Sequence, residues 1–167
     1  MDCAVILVDL KYDFNLESAY RVCANFGASR LYWTGTRVLD PPRHPRPKRG
    51  RGRSRAEAHF DDFSAVRGER QRDPLALIGR LQSEGYTPVA VELVASATSL
   101  ERFTHPERAV YVLGPEDGSL SEEVVKRCAK AVRIPSDGCL NVAMAASAVL
   151  LHRRLAARSA GRLRAAV

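Results

Sequence analysis

Residues 3–9 read CAVILVD, an unbroken run of β-branched and apolar side chains. A strand with one wet face alternates apolar and polar residues, so a continuous run predicts a central strand of a parallel sheet, covered on both faces. Working outward, Asn15 stands where it can cap a helix whose apolar positions Leu16, Ala19, Tyr20, Val22, Cys23 and Phe26 lie broadly on one side. Gly27 ends that helix in the left-handed conformation, and residues 30–35 (RLYWTG) predict the next strand. Asp73 followed by Pro74 pairs an N-cap with a first-turn proline, and Gly85 closes the helix that begins there. Residues 88–94 (PVAVELV) and 109–113 (AVYVL) predict two more strands. Ser119 and Glu122 have capping-box spacing for a helix to about Lys130, and a short strand follows over 131–134. The last helix runs from about Asn141 to Arg158, and its first three turns are apolar nearly all round. Such a helix must be buried, against the sheet and against a second subunit. Strands alternating with helices give the α/β class: an open, mostly parallel sheet with helices on both faces and ligands beyond the carboxyl ends of strands.

The length of 167 residues fits a single domain spanning 1–167, and the apolar fraction of 46% with 27% charged residues excludes fibrous and disordered classes. The net charge of +7 is local. Arg43, Arg46, Lys48, Arg49, Arg51, Arg53 and Arg55 fall together without an acid, leaving 19 basic against 19 acidic residues elsewhere. Proline, glycine and arginine dominate 41–57, so this segment is expected to be a basic, flexible insertion. It suits RNA, because Lys and Arg contacts to phosphate release condensed counterions, although a solvated loop would have the same composition. Cys3, Cys23, Cys128 and Cys139 show no CxxC spacing and no neighbouring histidine pattern, so no metal site is expected. The longest apolar stretch, Val142 to Leu151, is half a membrane span, and the apolar run from Cys3 to Val8, followed by Asp9 and Lys11, is too short for the core of a signal segment. A cytoplasmic protein without a membrane partner is the expectation.

Three segments carry the chemistry. Near the N-terminus stand Asn15, Arg21 six residues on, and the pair Phe26-Gly27. Residues 110–121 read VYVLGPEDGSLS, in which Gly114 and Gly118 let backbone amides approach a ligand. The phosphate-loop signature GxxxxGK[ST] is absent from this turn. Residues 134–146 read IPSDGCLNVAMAA, a strand end and tight turn before Asn141 as helix cap. Taken singly, these are a cap, a surface charge, a glycine turn and a capped helix.

In this order and spacing they resemble the three motifs of the SpoU/TrmH type of RNA 2′-O-ribose methyltransferase, within the SPOUT superfamily. That pattern has Asn with Arg six residues later and Phe-Gly, then a Gly-x-Glu turn, then Ile-Pro followed by Ser-Leu-Asn. The resemblance covers about Ala4 to Arg154 apart from the basic insertion. Glu17, Ser119 and Cys139 depart from it, where the family commonly has Gly, Gly and Ser. Cysteine keeps the size of serine but is a weak hydrogen-bonding group.

The resemblance implies a C-terminal trefoil knot, a homodimer, and methyl transfer from S-adenosylmethionine to a ribose hydroxyl of tRNA or rRNA. It implies cofactor contacts from Leu113, Gly114, Pro115, Glu116, Gly118, Ile134, Cys139 and Leu140, with Glu92 and Leu93 at a neighbouring strand end. Arg21, Asn15, Glu116 and Asn141 are the implied catalytic set, and Arg21 is also an RNA contact. The family's arginine is held to assist deprotonation, across the dimer interface. A guanidinium is a poor base, so Arg21 is better suited to binding phosphate and stabilising a developing alkoxide. The alternative function is a basic RNA-binding module of the same fold without catalysis.

Overall fold

The computed structural model describes residues 2–39 and 65–161. The basic insertion, with the seven cations from Arg43 to Arg55, lies outside the described residues. Seven strands form one sheet: β1 Asp2–Leu7, β2 Arg30–Trp33, β3 Arg67–Arg70, β4 Thr87–Val91, β5 Thr98–Ser99, β6 Arg108–Leu113 and β7 Lys130–Arg133. The spatial order is β3-β2-β1-β6-β4-β7-β5, and every neighbouring pair is parallel. Helices α1 (Asp13–Phe26), α2 (Pro74–Ser83), α3 (Glu122–Arg127) and α4 (Val142–Ser159) cover both faces.

The alternation of side chains along the strands explains the layers. Cys3, Val5 and Leu7 of β1 point with Tyr111 and Leu113 of β6 toward α1 and α4, where Leu16, Ala19, Cys23, Ala146 and Val149 meet them. Ala4 and Ile6 point with Val110 and Val112 to the other side, against Leu77, Ile78 and Leu81 of α2 and Val124 of α3. Both sets in β1 are buried, which is the physical reason for a run without polar alternation. Truncating Leu16, fully buried at the centre of the first layer, would cost about 2–5 kcal/mol.

Two caps fall elsewhere than the sequence suggests. Tyr12, with no side-chain cap, precedes α1, while Asn15 lies inside the first turn and is buried. Asp13 receives the amide of Phe14 at 2.7 Å, which leaves the Asn15 side chain for partners outside its own helix. Ser121, not Ser119, caps α3 by accepting from Val124 N, and the helix stops at Arg127 because Lys130 already belongs to β7. Asp73 and Asn141 cap α2 and α4, and Gly27 ends α1 with φ 83°, as expected. Strands β3 and β5 are absent from the sequence expectation. The first is a charged edge strand, RGER, and the second is only two residues long. Gly68 of β3 leaves room for the hydroxyl of Tyr20, whose atoms a β-carbon there would overlap.

The far edge has an interleaved order. Val91 of β4 and Thr98 of β5 both pair with Val132, so β7 lies between two strands that are consecutive in the chain. Residues 92–97 therefore bridge from one side of β7 to the other.

Candidate active site

Strands β6, β4 and β7 lie side by side, and their carboxyl ends open onto a cleft of about 410 Å³. Its walls are Glu92 and Leu93 after β4, then Gly114, Pro115, Glu116 and Gly118 after β6. Leu113 ends β6, and Ile134, Cys139 and Leu140 follow β7 to complete the wall. The ten residues read as cofactor contacts thus border one space. Sequence reasoning missed Asp117, Ser136, Val142 and Ala145, which also line it. The last two sit in the first turn of α4, and only the packing of that helix on the sheet brings them there.

Close backbone contacts shape the loops. A β-carbon on Gly114 would lie 3.0 Å from Leu120 N, so the turn after β6 folds back closely on itself and a side chain there would press on the backbone. The Glu92 carboxylate accepts the amides of Leu93 and Leu120, both at 2.9 Å, and so ties the segment bridging β7 to the loop after β6. After β7, Ser136 donates to Gly138 O at 2.9 Å and holds the turn that carries Cys139, whose side chain is exposed.

A chain of side chains links the three segments. Glu116 accepts the backbone amide of Lys11 at 2.9 Å and the side-chain amide of Asn15. Asn15 Oδ1 in turn accepts from Asn141 Nδ2 at 2.8 Å. Asn141 Oδ1 accepts from Ala143 N at 2.9 Å, capping α4. Each amide is used as donor and acceptor at once, which suits its place between the cleft loop and two helices. Glu116 is therefore committed to orienting the loop through Lys11 and Asn15.

The neighbouring carboxylate has a different task. Asp117 takes both oxygens to Arg37, at 3.1 and 2.9 Å, and meets Lys11 Nζ at 3.1 Å. The Arg37 guanidinium, and then the Lys11 ammonium, hold its carboxyl down at about 2. Arg37 also donates to the Asp9 backbone, so the loop after β6 is tied to the ends of β1 and β2.

Arg21 is not brought to this cleft within its own chain. It lies on the exposed side of α1 and pairs with Glu17 at 2.9 Å, one helical turn earlier. Among the described residues no group of three or more His, Cys, Asp or Glu could hold a metal ion, and no helix is long and apolar enough to cross a membrane.

The model of the SpoU rRNA Methylase family matches residues 2–151. No curated protein matches the chain. Among solved structures, the TrmH/SpoU tRNA modifying enzyme of A. aeolicus superposes with a TM-score of 0.74 at 20% identity, over 96% of this chain and 78% of that one. The SpoU methyltransferase AviRb of Streptomyces viridochromogenes, solved with the cofactor AdoMet, gives 0.73 at 20% identity over 93% of this chain and 60% of its own. A protein solved in a study of 2-OH methylation of C/U34 on tRNA gives 0.67 at 22% identity, over 93% of this chain and 91% of that one.

Proposed function

Because the chain belongs to the SpoU rRNA Methylase family, a family of RNA methylases, we propose that it transfers a methyl group from S-adenosylmethionine to a ribose 2′-hydroxyl of tRNA or rRNA. The observation that carries this reading is the chain Glu116–Asn15–Asn141, which joins a strand-end cleft to the helix bearing Arg21. The residues fit such a cofactor. The cleft volume is within the roughly 300–1,000 Å³ of small-molecule sites, and its walls mix Leu113, Ile134 and Leu140 with a glycine turn that brings backbone groups close. When bound, the cofactor supplies an electrophilic methyl group. The turn held by Gly114 and Gly118 would position it, with apolar contact from Leu93 and Leu140. Cys139 stands at the cleft wall where the family's serine is usual.

In-line transfer to a hydroxyl demands alignment above all, and alignment is what the Asn15–Asn141 bridge supplies, by fixing the loop after β6 relative to the first turns of α1 and α4. Arg21 is assigned to the flanking phosphate and the developing alkoxide, with the hydroxyl proton leaving to phosphate or water. Since Arg21 does not line its own cleft, it would serve the cleft of a second copy. We assign a homodimer on the same ground. Met144, Leu151 and Leu155 form an exposed aliphatic stripe on α4 at helical spacing, suited to that contact. The passage of the chain beyond Ile134 beneath 92–97 would make the trefoil knot. Residues 1–167 are taken as one domain, with the basic insertion as a phosphate-binding arm, and its free cysteines fit a cytoplasmic setting.

Titration of the protein with S-adenosylmethionine by calorimetry, followed by transfer of labelled methyl to bulk tRNA and rRNA, tests the proposal. Digestion of the product should yield 2′-O-methyl nucleosides. Cofactor binding without transfer, or methylation on a base, would overturn the ribose assignment. RNA binding with no cofactor affinity would favour the non-catalytic alternative.

A further inference from the structure

At the start of α1, among residues bonded to the cleft loop, two aromatic rings lie stacked in the open. Tyr12 and Phe14 have ring centroids 5.0 Å apart and planes inclined by only 17°. Lys11 Nζ stands 5.2 Å from the centroid of the Tyr12 ring. Tyr12 thus contacts both an ammonium and Phe14, while Phe14 is 56% exposed. Apolar residues scattered singly on a surface need no explanation, but two parallel aromatics left uncovered do.

The stack is joined to the site already described. Lys11 gives its backbone amide to Glu116 and its ammonium to Asp117, both in the cleft loop, while its charge lies over Tyr12. Asn15, next in sequence to Phe14, bonds Glu116 and Asn141. The backbone of this turn is fixed, with Phe14 N on Asp13 and Phe14 O accepting from Ser18 Oγ at 2.8 Å. A hydrogen-bonded helix start therefore presents an aromatic side chain between Lys11 and Asn15, both of which are bonded to the cleft loop.

We propose that Tyr12 and Phe14 form a stacking platform for a nucleobase of the RNA, at or next to the nucleotide whose ribose enters the cleft. The assignment rests on the RNA-methylation reading. Every base has a π face, so a flat ring extends a parallel aromatic stack without reading sequence. A second copy of the chain is the competing occupant. The large apolar side chains exposed on α4, Met144, Leu151 and Leu155, are non-aromatic, as helix packing favours, whereas the start of α1 carries rings, the shape a planar ligand fits.

The test is binding of a fluorescently labelled decamer of adenylate, single-stranded RNA, to the full chain and to Phe14→Ala, Phe14→Leu and Phe14→Trp. Alanine should weaken binding by roughly 5- to 100-fold, tryptophan should restore it, and leucine should not. The salt slope should stay the same in all four proteins, because no phosphate contact is removed. Restoration by leucine as well as by tryptophan, unchanged affinity in the alanine variant, or dissociation of an oligomer by Phe14→Ala in light scattering would overturn the platform. The binding measurement needs neither cofactor nor turnover. A wild-type protein that methylates RNA while its Phe14 variants bind normally would refute the platform alone, and a protein that binds the decamer through Phe14 but transfers no methyl would refute only the catalytic reading.

Discussion

Asn141 donates a hydrogen bond to Asn15 at 2.8 Å, across 126 positions of sequence, and so fastens the first turn of the last helix to the first turn of the first. Both amides also serve other partners, Glu116 on one side and the α4 cap on the other. The two residues should therefore behave as one unit. Asn15→Ala leaves Glu116 with the Lys11 amide but without its side-chain donor, and Asn141→Ala removes both the bridge and a cap worth about 1 kcal/mol. In urea unfolding, the double variant should be less destabilised than the sum of the singles, with a coupling of about 0.5–3 kcal/mol. Additivity would mean that the bridge does not form in solution.

Whether Arg21 serves a second copy, as proposed, has a direct test. Arg21→Ala should abolish methyl transfer and leave cofactor affinity nearly intact, and Arg21→Lys should also be poor because a point charge lacks the planar fork. Gly114→Val should displace the cleft loop and abolish cofactor binding, since even a β-carbon there meets Leu120 N at 3.0 Å. Mixing the two inactive proteins with subunit exchange should recover about a quarter of wild-type activity, from the one mixed site in each mixed dimer. No recovery would place Arg21 in service of its own cleft or of none.

Acid should loosen α4 from the sheet. His105 sits between Tyr111, at 2.5 Å, and His152, at 2.8 Å, while Arg153 donates to Tyr111 and to the backbone oxygens of Asp2, Pro106 and Glu107. Burial, then the neighbouring His152 and the Arg153 charge, push His105 down to about 3. The unfolded chain, with a histidine near 6.5, binds the proton first. The stabilisation is thus complete above about pH 6.5 and is lost as pH falls toward 3, by up to about 2 kcal/mol at pH 5. Melting temperatures from pH 7.5 to 5 should fall more steeply for the wild type than for His105→Gln. Parallel curves would show that His105 does not titrate with unfolding.

The basic insertion calls for a charge series. Replacing Arg49, Arg51, Arg53 and Arg55 with glutamine should weaken RNA binding for all sequences alike and flatten its salt dependence by up to about 0.7–0.9 for each phosphate no longer neutralised. Calorimetry should find cofactor binding unchanged. A shift in the methylated nucleotide would make the segment a reader of sequence.

The sheet is legible in the sequence where burial on both faces leaves a continuous apolar run, as in residues 3–9, and illegible where it does not. Strand β3 is RGER, and nothing in four polar or small residues signals a strand until β2 lies beside it. Asn15 reads as a cap because sequence shows only neighbours, and its partners Glu116 and Asn141 are 101 and 126 positions away. Ser119 and Ser121 both precede the α3 helix at plausible spacing. What decides between them is Glu92, which takes the Leu120 amide and pulls Ser119 into the cleft wall. The cleft residues themselves are legible through resemblance alone, since a glycine turn and a capped helix are common.

The interleaving of β4, β7 and β5 sets an order of assembly during synthesis. As the chain leaves the ribosome from its N-terminus, β4 and β5 emerge early but cannot settle together, because each takes its place against β7. Until Lys130–Arg133 arrives, the nascent sheet ends at β4, and the Val132 backbone that both neighbours require does not yet exist. A ribosome stalled before that point would display an incomplete edge, and the cleft, which needs all three strand ends and the first turn of the last helix, could not yet exist.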